Sequence, residues 1–188
     1  MDVGKTVYPK DRKQWRAWLS KHHKTSNEIW VIYYRKDSGK PRIPYNDAVE
    51  EALCFGWIDS ILKPRNEESW VQRFSPRKKK SVLSEMNKER VRRLIKAKKM
   101  TSFGLKSIEH HLEETTSQPK QFILPKDILS LLKKNPAAWK NFQKFTTSYK
   151  HIRIGWIDAS RHRPEIFKTR LNYFIRMTAA NKQFGMVR

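Results

Sequence analysis

Among the 188 residues, the side chains equipped for chemistry are one cysteine, six histidines and an excess of cations, 41 Lys and Arg against 18 Asp and Glu. Cys54 is the only candidate thiol nucleophile, and a thiolate needs a base or a positive charge beside it. Its neighbours in sequence, Leu53 and Phe55, are apolar, a setting that raises a thiol pKa and reads equally as a small core residue. A lone cysteine excludes an internal disulfide and a Cys-based zinc site. The histidines fall as His22-His23 and His110-His111, with His151 and His162 apart. Adjacent helical residues point about 100° apart, so neither pair offers two ligands to one metal. The six glycines form neither a Walker nor a dinucleotide loop, and no Gly-x-Ser-x-Gly elbow is present. No metal is expected and no cofactor is called for.

Asp59 carries a second possibility. It follows Trp57 and Ile58 in a β-like run, and Lys63-Pro64-Arg65-Asn66-Glu67 reads as a turn before Ser69–Phe74. A turn centred near 65–66 sets Asp59 opposite Arg73. Beside Trp57 and Trp70, such a pair is either a structural clamp or the polar end of a ligand pocket. The pocket version would be lined by Trp57, Trp70, Arg73 and Phe74, with Cys54 nearby.

The net charge is +23 and the pI about 10.3, which makes an anionic partner the first functional expectation. The charge is concentrated: residues 76–100 hold 11 basic and two acidic side chains. Arg77, Lys78, Lys79, Lys80, Lys88, Arg92 and Arg93 are the candidate contacts for an anion or for nucleic acid. No aromatic residue lies in that stretch, so stacking on bases has no carrier there and only sequence-independent phosphate contacts remain. A solvated basic helix face has the same composition.

The elements that must position these groups read as α+β, a small antiparallel sheet with helices followed by a helical C-terminal part. Trp15, Trp18, Leu19 and His22 recur at helical spacing behind Asp11, a ready N-cap. Ile29–Tyr34 is β-branched and aromatic throughout, as in a buried strand. Ala48, Val49, Ala52 and Leu53 form one face of a short helix that Gly56 stops. After Pro76 the pattern is helical, with Ser81 or Ser84 and Thr101 as caps. Further helices are expected near 126–134, 136–145, 148–160 and 164–180, two of them opened by Pro136 and Pro164. The domain boundaries drawn from this are residues 1–114, a linker at 115–125, and a helical segment at 126–188. Gly-Trp-Ile-Asp occurs at 56–59 and again at 155–158, in flanks so different that no repeat is implied. At 38% apolar and 12% aromatic, with seven Trp, the chain is composed to fold. No run approaches the length of a membrane span and the N-terminal residues lack a secretion signal, so a cytoplasmic location is expected.

Several blocks of the sequence stand out together: Trp15–Leu19, Tyr45–Asp59 with Ala-Leu-Cys-Phe-Gly-Trp-Ile-Asp at its end, Arg73–Arg77, and Gly104-Leu105. With Leu124-Pro125, Trp156-Ile157, Glu165 and Thr169-Arg170 towards the C-terminus, they resemble the YdeI/OmpD-associated, or bacteriocin-protection, family. Lys98 stands where a glycine is expected in that family. The resemblance implies a bacterial protein tied to stress or bacteriocin resistance, without an assigned reaction. Three readings stay open: a non-enzymatic cytosolic binder of an anionic or protein partner, a sequence-independent nucleic-acid binder through 76–100, and a small-ligand binder or enzyme using a Trp57/Asp59/Arg73 cleft.

Overall fold

The computed structural model describes residues 2–78, 81–112 and 122–185. Its architecture is α+β, and its contacts form two compact units: residues 1–82 with 90–113, and residues 83–89 with 114–188. Of the segment 115–125, residues 115–121 lie outside the described ones.

In the first unit, α1 (Arg12–His22) is capped by Asp11, whose side chain accepts from the Gln14 amide. The four-stranded sheet runs in the order β1-β2-β4-β3, with β1 (Thr6–Val7) parallel to β2 (Ile29–Tyr34). The other pairs, of β4 (Ser69–Pro76) with β2 and with β3 (Trp57–Asn66), are antiparallel. Helices α1 and α2 (Tyr45–Cys54) pack Trp15, Leu19, Val49 and Leu53 against Val31, Trp57 and Phe74 on one sheet face. The Trp15 indole also donates to the Ala48 carbonyl at 2.9 Å, joining the two helices. The opposite face carries a smaller cluster, Trp30, Ile32 and Val71 with Tyr8 and Tyr34. Strand β2 is therefore apolar on both sides, which is why its sequence shows no alternation.

The hairpin departs from the sequence expectation in two ways. Lys63, Pro64, Arg65 and Asn66 belong to β3, and the turn is confined to Glu67 and Glu68. Pro64 is tolerated because β3 is an edge strand, where a missing N–H breaks no ladder bond. Register shifts between Asp59 and Leu62 and between Pro64 and Asn66 then move the pairing, so Asp59 faces Phe74. The expected Asp59–Arg73 pair does not form. Successive side chains of a strand leave on opposite faces, and Arg73 donates through Nε to Glu28 at 2.7 Å on the other side. Asp59 instead accepts from the Tyr45 hydroxyl at 2.7 Å.

Helix α3 (Glu85–Lys96) follows Ser84, whose hydroxyl accepts from the Asn87 amide, and buries Arg90, Val91 and Leu94. Its end is a Schellman motif: Lys98 N–H donates to the Ile95 carbonyl and Lys99 N–H to the Leu94 carbonyl, both at 2.9 Å. That motif places Lys98 at φ 53°, the left-handed region that glycine usually fills. Thr101 caps α4 (Ser102–Ser107), accepting from the Gly104 amide.

The second unit is helical in α5 (Lys126–Lys133), α6 (Pro136–Lys144), α7 (Thr147–Asp158) and α8 (Pro164–Ala179). Asn135 and Thr146 cap α6 and α7, and prolines open α6 and α8. Ile128, Leu132, Phe142, Ile157, Leu171 and Phe174 form the core. Gly155-Trp156-Ile157-Asp158 is helical here, whereas the same tetrapeptide at 56–59 is a turn entering β3.

Candidate functional site

A tight turn between α2 and β3 organises one end of the first unit. Gly56 adopts φ +74°, which lets the chain reverse directly after the helix. Its missing side chain also admits α4, since a Cβ there would lie 2.9 Å from the Ser107 Cβ and 3.1 Å from the Phe103 carbonyl. Thr101 fastens α4 from the other end, donating its amide at 3.0 Å and its hydroxyl at 2.6 Å to the Cys54 carbonyl. The Arg77 amide, just past β4, donates to the Gly56 carbonyl at 2.9 Å.

Between α4, this turn and the end of α1 lies a cleft of 290 Å³. Its floor is apolar, from Phe55, Trp57, Pro76 and Phe103. His23, Arg77, Lys106 and His110 bring basic groups to it, and among the described residues Glu109 is the single carboxylate lining it. The His23 ring sits 5.1 Å from Phe55 and 4.8 Å from Phe103, the latter edge-on. Its Nδ1 lies 2.8 Å from the Leu19 carbonyl. A carbonyl only accepts, so Nδ1 carries the proton and a neutral ring leaves Nε2 as an acceptor. That Nε2 is buried without a partner among the described residues. Phe103 is 44% exposed and has the Lys24 ammonium 4.6 Å from its ring centre.

Arg77 is the electrostatic feature of the cleft. Its Nη2 donates to the Ser81 and Val82 carbonyls, both at 3.2 Å, while its Nε is buried with no partner among the described residues. Among the described residues no carboxylate neutralises it, and burial pushes its pKa below the usual arginine value. A guanidinium held by neutral carbonyls keeps its full charge for whatever enters beside it.

The residues expected from sequence to share one pocket do not all meet. Trp57 lines the cleft, its Nε1 donating to the His23 carbonyl at 3.2 Å. Phe74 is wholly buried against Trp15, with ring centres 5.3 Å apart. Trp70 stacks on Tyr33 at 5.9 Å and carries the Arg42 guanidinium 5.1 Å from its ring. Asp59 and Arg73 are held by Tyr45 and Glu28, on opposite sides of the sheet. Cys54 is fully buried at the end of α2, and burial pushes its thiol up to about 11. The Glu51 charge adds to that rise, and hydrogen bonding and charge from Arg16 and charge from Arg12 oppose it. At pH 8 a disulfide reagent is therefore expected to modify the native protein about 100-fold more slowly than the chain unfolded in guanidinium. Equal rates in the two states would show that Cys54 is an available nucleophile.

Of the basic candidates, Arg77 reaches the cleft and Lys78 is exposed. Lys79 and Lys80 lie outside the described residues. Lys88 pairs with Glu85 at 2.9 Å and Arg93 with Glu50 at 3.0 Å, so part of the dense charge is spent internally. Arg92 is half-buried on α3. The cleft residues His23, Phe55, Phe103, Lys106 and His110 escaped the sequence reading because they come from four separate segments. The one local hint was the polar His23 beside the apolar stripe of α1.

A family model described as a domain of unknown function, DUF8412, matches residues 7–107. A second, described as bacteriocin-protection, YdeI or OmpD-associated, matches residues 121–181. The described similarity to that second family thus rests on the C-terminal helices, while the aromatic block around Trp57 falls under the first model. No curated protein and no solved structure gives a significant match. Among the described residues, no helix is long and apolar enough to cross a membrane.

Proposed function

From a chain that belongs to the DUF8412 family and carries a YdeI/OmpD-associated segment, we propose a non-enzymatic, cytoplasmic binding protein. Its ligand is a small anion with a planar apolar body, taken by the cleft between Trp57 and Arg77. The C-terminal segment's bacteriocin-protection description agrees with a protective rather than a catalytic role.

The observation that carries this reading is Arg77, a desolvated cation with no carboxylate partner among the described residues, next to an aromatic floor. The planar body would rest on Phe55 and Trp57, and the anionic group would meet Arg77, with Lys106 at the rim. Ligand pockets run from about 300 to 1,000 Å³, so a cleft of 290 Å³ suits a ligand of one or two rings.

The test compares 2-naphthoate with its neutral analogue 2-naphthamide by titration calorimetry. A charge-assisted hydrogen bond should favour the carboxylate by about tenfold or more. Arg77→Ala should abolish that preference, and the exposed Lys106→Ala should reduce it without disturbing the fold. Equal binding of the two compounds, or a preference that survives Arg77→Ala, would sink the proposal.

A further inference from the structure

A second concentration of cations lines another hollow, an open one of 450 Å³ surrounded by α1, α2 and the end of α3. Arg12, Lys13, Arg16, Lys98 and Lys99 line it, with Glu51 as the one carboxylate among the described lining residues. Glu51 is already engaged: its side chain is 2% exposed and takes hydrogen bonds from Arg12 Nε and Arg16 Nη1. Glu50, 6% exposed, is likewise shared by Arg12 and Arg93. The local negative charge is thus consumed, yet Arg12 keeps a buried Nη2 with no partner among the described residues. Among the described residues, no carboxylate pairs with Lys13, Lys98 or Lys99.

Two local costs accompany this arrangement. The first turn of α1 carries Arg12 and Lys13 and no acid, although the positive end of the helix dipole disfavours cations there. Lys98 occupies the left-handed position after α3, which penalises any residue with a Cβ. The dipole at the end of α3 accounts for cations at 98 and 99, but a glycine at 98 would relieve the strain and keep Lys99. An observed backbone outlier whose side chain lines a cationic hollow points to a role for that side chain.

We infer that this hollow binds a compact oxyanion of two or more charges, of the pyrophosphate class, either free or as the charged group of a small metabolite. Arg12 Nη2, Arg16 and the three lysines supply the donors. A phosphodiester, with one charge per phosphate, matches the cluster less well. The inference is independent of the Arg77 cleft.

The test titrates the full chain with sodium pyrophosphate at 150 mM NaCl (roughly the ionic strength at which exposed charges separated by about 8 Å are already screened). Wild type should show one saturable site. Lys98→Gly should bind about tenfold more weakly while its Tm in the absence of ligand rises by about 2–4 °C. A variant that is more stable yet binds less cannot be dismissed as misfolded. Lys36→Ala, an exposed change of equal charge, and Arg77→Ala should both bind as wild type does. Undiminished binding by Lys98→Gly overturns the inference, as does an equal loss in Lys36→Ala, which would mean diffuse attraction to the net charge. Loss in Arg77→Ala alone overturns it too, by placing pyrophosphate in the other cleft.

Discussion

Replacing Glu51 by Gln is expected to destabilise the first unit by about 3 kcal/mol, because a buried charge pair that loses one partner leaves the other uncompensated. Glu51 is almost inaccessible and holds two guanidiniums at once, Arg12 through Nε and Arg16 through Nη1. These contacts tie α1 to α2, the same two helices that the Trp15–Ala48 hydrogen bond joins. An amide fills the space but can satisfy only one donor without presenting its own N–H groups to a cation. The Arg12 and Arg16 side chains are 28% and 39% exposed, so water offsets part of the loss and holds it to the lower end for a buried pair. Urea unfolding followed by tryptophan fluorescence measures it. A loss under about 1 kcal/mol would assign the three charges to the surface class of ion pairs.

Gly104→Ala is the second large effect, also about 3 kcal/mol, by a different route. A Cβ at 104 would collide with the Cys54 carbonyl oxygen and lie 2.9 Å from the Leu53 carbonyl oxygen. The obstacles are backbone atoms at the end of α2, which no side-chain rotation can clear, so α4 must lift from the turn that frames the cleft. Gly39→Ala separates this from backbone strain. Gly39 has φ +68° and nothing within 4 Å of a new Cβ, so its cost is only the left-handed penalty of about 1–2 kcal/mol. If both alanines lost the same amount, close packing of α4 on α2 would not be the cause. Since α4 carries Phe103 and Lys106, Gly104→Ala should also remove 2-naphthoate binding.

What could be read from the sequence was local. Asp11, Ser84, Thr101, Pro136 and Pro164 mark helix starts through bonds or angles set within a few residues, and each element begins where they indicate. The hairpin register was not local. Pro64 reads as a turn residue unless the strand is known to be an edge, and edge position depends on β2 pairing with β4. Two register shifts in β3 then undo the arithmetic that set Asp59 against Arg73. The cleft lay further out of reach, since His23, Trp57, Arg77 and Phe103, at α1, β3, β4 and α4, converge only after four elements have packed. The acids Asp47, Glu50 and Glu51 lie in the first two turns of α2, where the positive end of the helix dipole explains them locally and points to no partner. Their partners Arg12, Arg16 and Arg93 come from other helices.

Pro64 has a consequence beyond register. An exposed edge strand of ten residues is a template on which another chain could lay a strand. Leu62, 59% exposed, and Ile61 would make that edge adhesive. Instead Pro64 withholds a donor, Lys63 and Arg65 bring like charges to any second copy, and the two irregularities in β3 bend the edge away from flat pairing. At the other end β1 offers only two residues. The sheet is guarded at both ends against growth, so a protein this rich in aromatic strand residues can be crowded without its sheet seeding fibres.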